Sequence, residues 1–222
     1  MVGGPYDARV PVLHRPGEDA LLNDQPLRTV RPAAEFDIVA IGASAGGIEA
    51  LHVVVNALPA DFPVPVVIVQ HLDPRHRSRL AELLSRHSRV PVKQAADGEA
   101  LRAGTVYLAA PDAHLLVRGG HIVFSDLPRV HFSRPSIDLL FASVADAYGA
   151  RALGVVLSGT GVDGADGLRA IKTRGGTTIV QNPASAAHAG MPEAARATGC
   201  ADHVLLLADI APTLVELAGN AA

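Results

Sequence analysis

Three short stretches bring together residue types that could do chemistry. The first is Gly42-Ala43-Ser44-Ala45-Gly46-Gly47. Its first five residues fit G-x-S-x-G, in which small neighbours let a sharp strand-to-helix turn push a serine hydroxyl outward as a nucleophile. The six together nearly fit G-x-G-x-x-G, but Ser44 holds the middle position, where a dinucleotide pyrophosphate needs bare backbone. A structural glycine turn with Ser44 as a helix cap accounts for the same residues without any reaction, and either motif alone is weak evidence. The second stretch is Val69-Gln70-His71. A dinucleotide fold calls for an acid about 20 residues beyond its glycines, yet here a histidine closes the strand, a residue suited to serve as general base to a serine. The chain has 10 histidines, so His71 is distinguished by position and not by type. None of them stands with another histidine or a carboxylate at convincing metal-ligand spacing. The third stretch runs from Leu157 to Gly167, LSGTGVDGADG. Asp163 in its glycine-rich turn is placed to fix the imidazole tautomer and stabilise its charged form, or equally to cap the following helix. Asp166, a few residues on, meets a helix dipole favourably and needs no other purpose.

Such side chains act together only if strand ends deliver them to one edge of a sheet. From Phe36 onward, apolar runs alternate with amphipathic stretches, the βαβ pattern of a parallel sheet. Strands are expected over Phe36–Gly42 and Val64–Gln70. Helices are expected from Gly47, with Ile48, Leu51, Val55 and Leu58 inward, and from about Arg77, with Leu80, Leu83 and Leu84 inward. The middle of the chain departs from the pattern. Pro91–Ala95, Thr105–Ala109 and a hairpin of His114–Val117 and His121–Phe124 around Gly119-Gly120 read as an antiparallel excursion at a sheet edge. Pro135 is expected to open the clearest helix, where Ile137, Leu140, Phe141, Val144, Ala145 and Tyr148 keep helical spacing. Next come a buried strand Ala152–Leu157, a helix from about Asp163, a strand Thr177–Val180, a short helix opening at Pro192, a strand His203–Leu206 and a terminal helix. In open parallel sheets the ligand crevice lies at the carboxyl ends of the strands, so Ser44 and His71 are expected on the same edge.

With 222 residues, 49% hydrophobic and 18% charged, the chain can bury one substantial core. Residues 1–34 mix prolines with charges without periodicity and are expected to be a flexible extension, leaving 35–222 as the folded domain. A net charge of −3 provides no general field for nucleic acid. The single cysteine, Cys200, excludes an internal disulfide and a Cys-rich zinc site and fits a reducing compartment, so a cytoplasmic location is expected. No run reaches the roughly 18 apolar residues of a membrane span, and prolines interrupt the N-terminus where a secretory signal would be continuous, so no membrane insertion is expected. Neither a cofactor nor a metal is expected.

Six segments, in order, resemble the catalytic domain of the bacterial chemotaxis protein-glutamate methylesterases: IGASAGGIEAL (Ile41–Leu51), VQHLDP (Val69–Pro74), DGEALRAGTVYLAAP (Asp97–Pro111), RPSIDLLFASVA (Arg134–Ala145), GVVLSGTGVDGADGL (Gly154–Leu168) and QNPASAAHAGMPEAA (Gln181–Ala195). The resemblance covers about Phe36 to Val215. It implies a doubly wound, mainly parallel α/β sheet with helices on both faces and a small antiparallel hairpin at the edge. It also implies a triad of Ser44 as nucleophile, His71 as base and Asp163 as orienting acid, with Ala45 and Thr160 supplying oxyanion amides. Ala45, Thr160 and Val162 depart from the threonine, methionine and asparagine common in the family, but backbone amides do not depend on side-chain identity. The implied activity is hydrolysis of glutamate γ-methyl esters on chemoreceptor cytoplasmic helices, with deamidation of receptor glutamines as a related activity. A separate response regulator or methyltransferase is a further candidate partner. Many family members begin with a receiver domain, and 34 proline-bearing residues are too few for one, so the stand-alone form or a module of a larger fusion is implied. Arg75, Arg77 and Arg79, just beyond the base, are candidates for docking an acidic receptor surface, although a basic cluster opening a helix is usually a solvated face. Two other readings stay open at this point: a catalytically weak module that binds receptors or a regulator, and a nucleotide-binding protein, against which Ser44 and the missing strand-end acid both count.

Overall fold

The computed structural model describes residues 36–72 and 78–219. The expected extension 1–34 lies outside the described residues. Seven strands form one sheet in the order β3-β4-β2-β1-β7-β8-β9. They are β1 (Ile38–Ala43), β2 (Val66–Gln70), β3 (Val92–Gln94), β4 (Val106–Leu108), β7 (Ala152–Val156), β8 (Thr177–Gln181) and β9 (His203–Leu205). Every pairing in this sheet is parallel. β5 (His114–Arg118) and β6 (His121–Ser125) form a separate antiparallel pair. The antiparallel part of the middle section is therefore the hairpin alone. The two short runs before it, expected as part of the excursion, join the main sheet as parallel members, with β3 outermost. Runs of three residues hold too little pattern to show direction, which the connections decide.

β1 explains why helices cover both faces. All six of its residues are buried, and successive side chains point to opposite sides. Val39, Ile41 and Ala43 meet the apolar faces of α1 (Gly47–Ala57), α2 (Leu80–Ser85) and α6 (Leu207–Leu217). Ile38 and Ala40 belong to the other core, with α3 (Ile137–Tyr148), α4 (Ala165–Thr173), α5 (Gly190–Ala197) and the hairpin residues Leu115, Val117 and Ile122. From β1 the chain moves outward to β2 and then to the outermost β3, sets β4 between those two, and crosses to the other flank of β1 to continue through β7, β8 and β9. The gap beyond β1 and β7 is thus a topological switch point, where a doubly wound sheet opens its ligand crevice.

Several element starts differ from expectation. α2 begins at Leu80, not near Arg77, and residue 77 lies outside the described residues. Pro135 precedes α3 and is not its first residue. The cap is Ser136, whose Oγ accepts from the N–H of Leu139, so the first turn is closed by a hydroxyl and not pre-set by the proline ring. α5 opens at Gly190, two residues before Pro192, which falls inside the first turn, where its missing N–H is harmless.

Candidate active site

The β1–β2 register pairs Ala43 with Gln70, so Ser44 and His71 are the next residues past neighbouring strand ends. Backbone ties hold them there: the N–H of His71 donates to the carbonyl of Ala43 at 3.0 Å, and the N–H of Ser44 donates across the switch point to the carbonyl of Ser158 at 2.9 Å. Gln70, buried at the end of β2, donates from Nε2 to the carbonyls of both Ser44 and His71, at 2.8 and 2.9 Å. Its carboxamide lies over Gly47, where a Cβ would fall 2.4 Å from Oε1. The cap of α1 is Gly46, in the left-handed region at φ 70, and no side chain caps that helix. Ser44 is therefore not the helix cap, and among the described residues its Oγ makes no hydrogen bond. A half-buried hydroxyl at a strand-to-helix corner is left available.

His71 Nε2 lies 2.9 Å from Oδ2 of Asp163. An ionised carboxylate only accepts, so Nε2 carries the hydrogen and Nδ1 is the basic nitrogen of the neutral ring. Asp163 is almost fully buried, and it caps a helix other than its own. The N-terminus of α4 starts at Gly164, while Asp163 accepts from the N–H groups of Ile137 and Asp138 at the start of α3, both at 2.9 Å, and from Ser136 Oγ at 3.1 Å. Asp138 returns the arrangement: its Oδ1 accepts from the N–H groups of Gly164 and Gly167 at the start of α4, at 2.8 and 2.7 Å. Two helix N-termini thus exchange carboxylates, each satisfying orphan amides and the positive end of the other's dipole. Burial pushes the Asp163 carboxyl upward, but the bonds from His71, Ile137 and Asp138 outweigh it and hold the group below the ordinary carboxylate range. For Asp138, burial wins despite the two glycine amides, and the neighbouring Asp163 charge adds to it, raising the carboxyl to about 6.

A second organiser is Ser158, 1% exposed, two residues past the end of β7. Its Oγ donates to the carbonyl of Ala45 at 2.8 Å and accepts from the N–H of His188 at 3.0 Å, joining the Ser44 corner to the segment before α5. Gly159 sits where a Cβ would lie 2.1 Å from Met191 Sδ and 2.9 Å from Ser44 Cβ. Among the described residues, no acceptor takes the backbone N–H of Ala45 or Thr160. A cleft of about 90 Å³ opens on His71, lined further by Leu72, Arg129, Phe132, Ser133, Arg134 and Pro135.

Of the docking candidates, Arg75 and Arg77 lie outside the described residues. Arg79 is the cap residue of α2, with its guanidinium bonded to Glu82 at 3.0 Å and 77% exposed. Among the described residues, His131, Asp138 and Asp166 bring ligand-type atoms within 4.8 Å of one another. Asp138 already serves two amides and Asp166 pairs with Arg169, so the group is committed within the protein. Asp138, Ser158, Gln70 and Phe132 carry no sequence signal that assigns them a role. The family segments contain the first three, but each acts through a partner 26 to 113 positions away, which spacing does not reveal.

A doubly wound α/β sheet with a His–Asp pair and a serine at its switch point defines an α/β protein with a hydrolase-like site. The CheB methylesterase family model matches residues 39–214, and the chain belongs to that family. It is 45% identical over 185 residues to the protein-glutamate methylesterase/protein-glutamine glutaminase 2 of Anaeromyxobacter dehalogenans, covering 83% of this chain and 54% of that one. With the corresponding protein 3 of Pseudomonas aeruginosa it shares 41% identity over 225 residues, 97% of this chain and 67% of the other. The chain thus spans about half to two thirds of the length of these relatives. The crystal structure of the Thermotoga maritima CheB methylesterase catalytic domain superposes with a TM-score of 0.79 at 35% identity, covering 82% of this chain and 98% of that one. Among the described residues, no helix is long and apolar enough to cross a membrane.

Proposed function

We propose that the chain is a serine hydrolase that cleaves glutamate γ-methyl esters on chemoreceptors, releasing methanol, and that the same site deamidates receptor glutamines. The observation that carries this reading is the 2.9 Å bond from His71 Nε2 to a buried, ionised Asp163, at the strand edge where Ser44 emerges with an unused hydroxyl. Nδ1 of His71 takes the proton of Ser44 as Oγ attacks the ester carbonyl. The oxyanion forms against the amides of Ala45 and Thr160. Collapse breaks the bond to the methoxy oxygen, which leaves as methanol with the proton held by His71. Water, deprotonated by the same nitrogen, then releases the γ-carboxylate and restores Ser44. For a glutamine the leaving group is ammonia and the product is the same. Asp163 holds the ring in the productive tautomer, and residues 35–222 constitute the catalytic unit. Arg79 is a candidate contact for an acidic substrate surface.

Methanol release from a methylated chemoreceptor fragment tests the reading. Ser44→Ala and His71→Ala are each expected to lower it by about 10³-fold or more, and a fluorophosphonate probe is expected to label the wild type and not Ser44→Ala. Wild-type protein that neither labels nor releases methanol would refute the enzyme and favour a binding module.

A further inference from the structure

Phe132 is 96% exposed, beside the cleft that opens on His71. It occupies the second corner of a two-residue turn, closed by paired bonds between Val130 and Ser133 at 3.1 and 2.8 Å. The corner residues His131 and Phe132 have φ 48 and 63. Positive φ at both corners is the geometry of a tight hairpin turn that normally selects asparagine and glycine, and a bulky aromatic there is an outlier. The surroundings keep the turn in place. Arg134 donates to Oδ1 of Asp112 at 2.9 Å and to the carbonyl of Asp126 at 3.1 Å, and His131 Nε2 stands 3.4 Å from Oδ2 of Asp138. The strained aromatic is thus moored to the start of α3, the same helix start that binds Asp163. Strain held in this way beside a reactive histidine points to use.

The size of the cleft decides what reaches it. At about 90 Å³ it falls well short of the roughly 300–1,000 Å³ of a site that encloses a whole small ligand. It takes the end of a side chain, and the main chain that carries that side chain must lie along the rim. On that rim stand Phe132 and Arg129, the latter half exposed. Among the described residues, Arg129 and Arg134 share the carboxylate of Asp112, two cationic groups to one anionic group. Each turnover turns a neutral ester or amide into a carboxylate, so a segment with several modifiable positions carries acids beside the one being processed.

We propose that the Val130–Ser133 turn is a docking element for the protein substrate, with Phe132 packing on an apolar residue of the segment that bears the esterified glutamate and Arg129 meeting a neighbouring carboxylate. This rests on the esterase reading above and specifies how its substrate is held. Aromatic residues, phenylalanine included, and arginine are both enriched in the buried centres of protein interfaces.

The test compares kcat/KM for a methylated chemoreceptor fragment with kcat/KM for p-nitrophenyl acetate, in the full chain and in Phe132→Ala, Phe132→Trp and Arg129→Ala. Phe132→Ala is expected to lower the ratio of protein to small-ester turnover at least tenfold, chiefly through KM, with Phe132→Trp restoring most of it. Arg129→Ala is expected to lower the ratio severalfold, with the loss shrinking as salt is raised. Phe132→Ala with an unaltered ratio, whether both activities hold or both fall together, would overturn the docking role and leave the esterase standing. A wild type that hydrolyses neither substrate would overturn both.

Discussion

At Asp138, two glycine amides favour the carboxylate, while burial and the adjacent Asp163 charge favour the acid, and the second pair wins. Asp163, a hydrogen-bond length away through the same helix starts, has its charge fixed by His71 and two amides and stays ionised. Two carboxylates in one corner thus have their proton affinities pushed apart, Asp138 upward and Asp163 downward. The sign of the stability effect follows. Between the ordinary value of 3.8 and about 6, the folded state keeps a proton on Asp138 that the unfolded chain has lost. This group therefore contributes most below pH 4, and its contribution falls as pH rises through 6. Asp163 has the opposite sign, stabilising above the ordinary carboxylate value and losing that as pH falls through its depressed one. Asp138→Asn removes only the first titration while keeping an oxygen for Gly164 and Gly167. Its stability relative to wild type is expected to rise by about 1–2 kcal/mol from pH 4 to pH 7, the full linkage being discounted for partial solvent screening. Urea melts across that range measure it, and a difference that stays flat with pH would contradict the assignment.

Elements position the site by close approach, and Gly159 is where they meet. Its φ is not in the left-handed region, so the argument is steric: a Cβ would stand 2.1 Å from Met191 Sδ and 2.9 Å from Ser44 Cβ. The thioether can swing aside, but the serine corner is held by the Ser44 to Ser158 backbone bond. Gly159→Ala is expected to cost about 1–3 kcal/mol in a thermal or urea melt and to lower kcat/KM for p-nitrophenyl acetate at least tenfold, since displacement of a nucleophile by a fraction of an ångström degrades attack. Wild-type turnover in that variant would show that the α5 segment does not set the serine. Elements with long apolar runs were legible from the chain alone: β1, β2 and β7 lie where Phe36–Gly42, Val64–Gln70 and Ala152–Leu157 predict, within one or two residues at their ends. The directions of β3 and β4 were not, because three residues carry no directional signal. At the start of α3 the cap Ser136 is local and could be read from the chain, whereas Asp163 reaches the same turn from 26 positions away and could not.

For the whole molecule, the sheet brings the strand ends preceding Ser44, His71 and Asp163 to one edge, with His71 and Asp163 in contact, and each follows a strand whose pattern could be read. Their types and strand-end positions were therefore legible, as was the family they resemble. Asp138, Ser158 and Phe132 were not, because their roles depend on partners brought in by folding or, for Phe132, on exposure that no periodicity encodes. Contacts at the entry of β1 mark the edge of the folded unit. Phe36 is 1% exposed in the core beneath α1 and α6, and Asp37 ties the entry of β1 to Arg151 through both its N–H and its carboxylate. That pairing also holds the Asp37 carboxyl below its ordinary range. A fragment of residues 35–222 is thus expected to melt within about 2 °C of the full chain and to match its kcat/KM for p-nitrophenyl acetate, whereas a fragment of residues 38–222 loses the buried ring and the ion pair. The second cut is expected to cost about 3–5 kcal/mol, the range for deleting a buried phenylalanine, and to lower the melting temperature by roughly 6–20 °C for a domain of this size. Melting curves and small-ester kinetics on the two fragments decide it: a 35–222 fragment that unfolds early or loses turnover would place part of the working unit in residues 1–34.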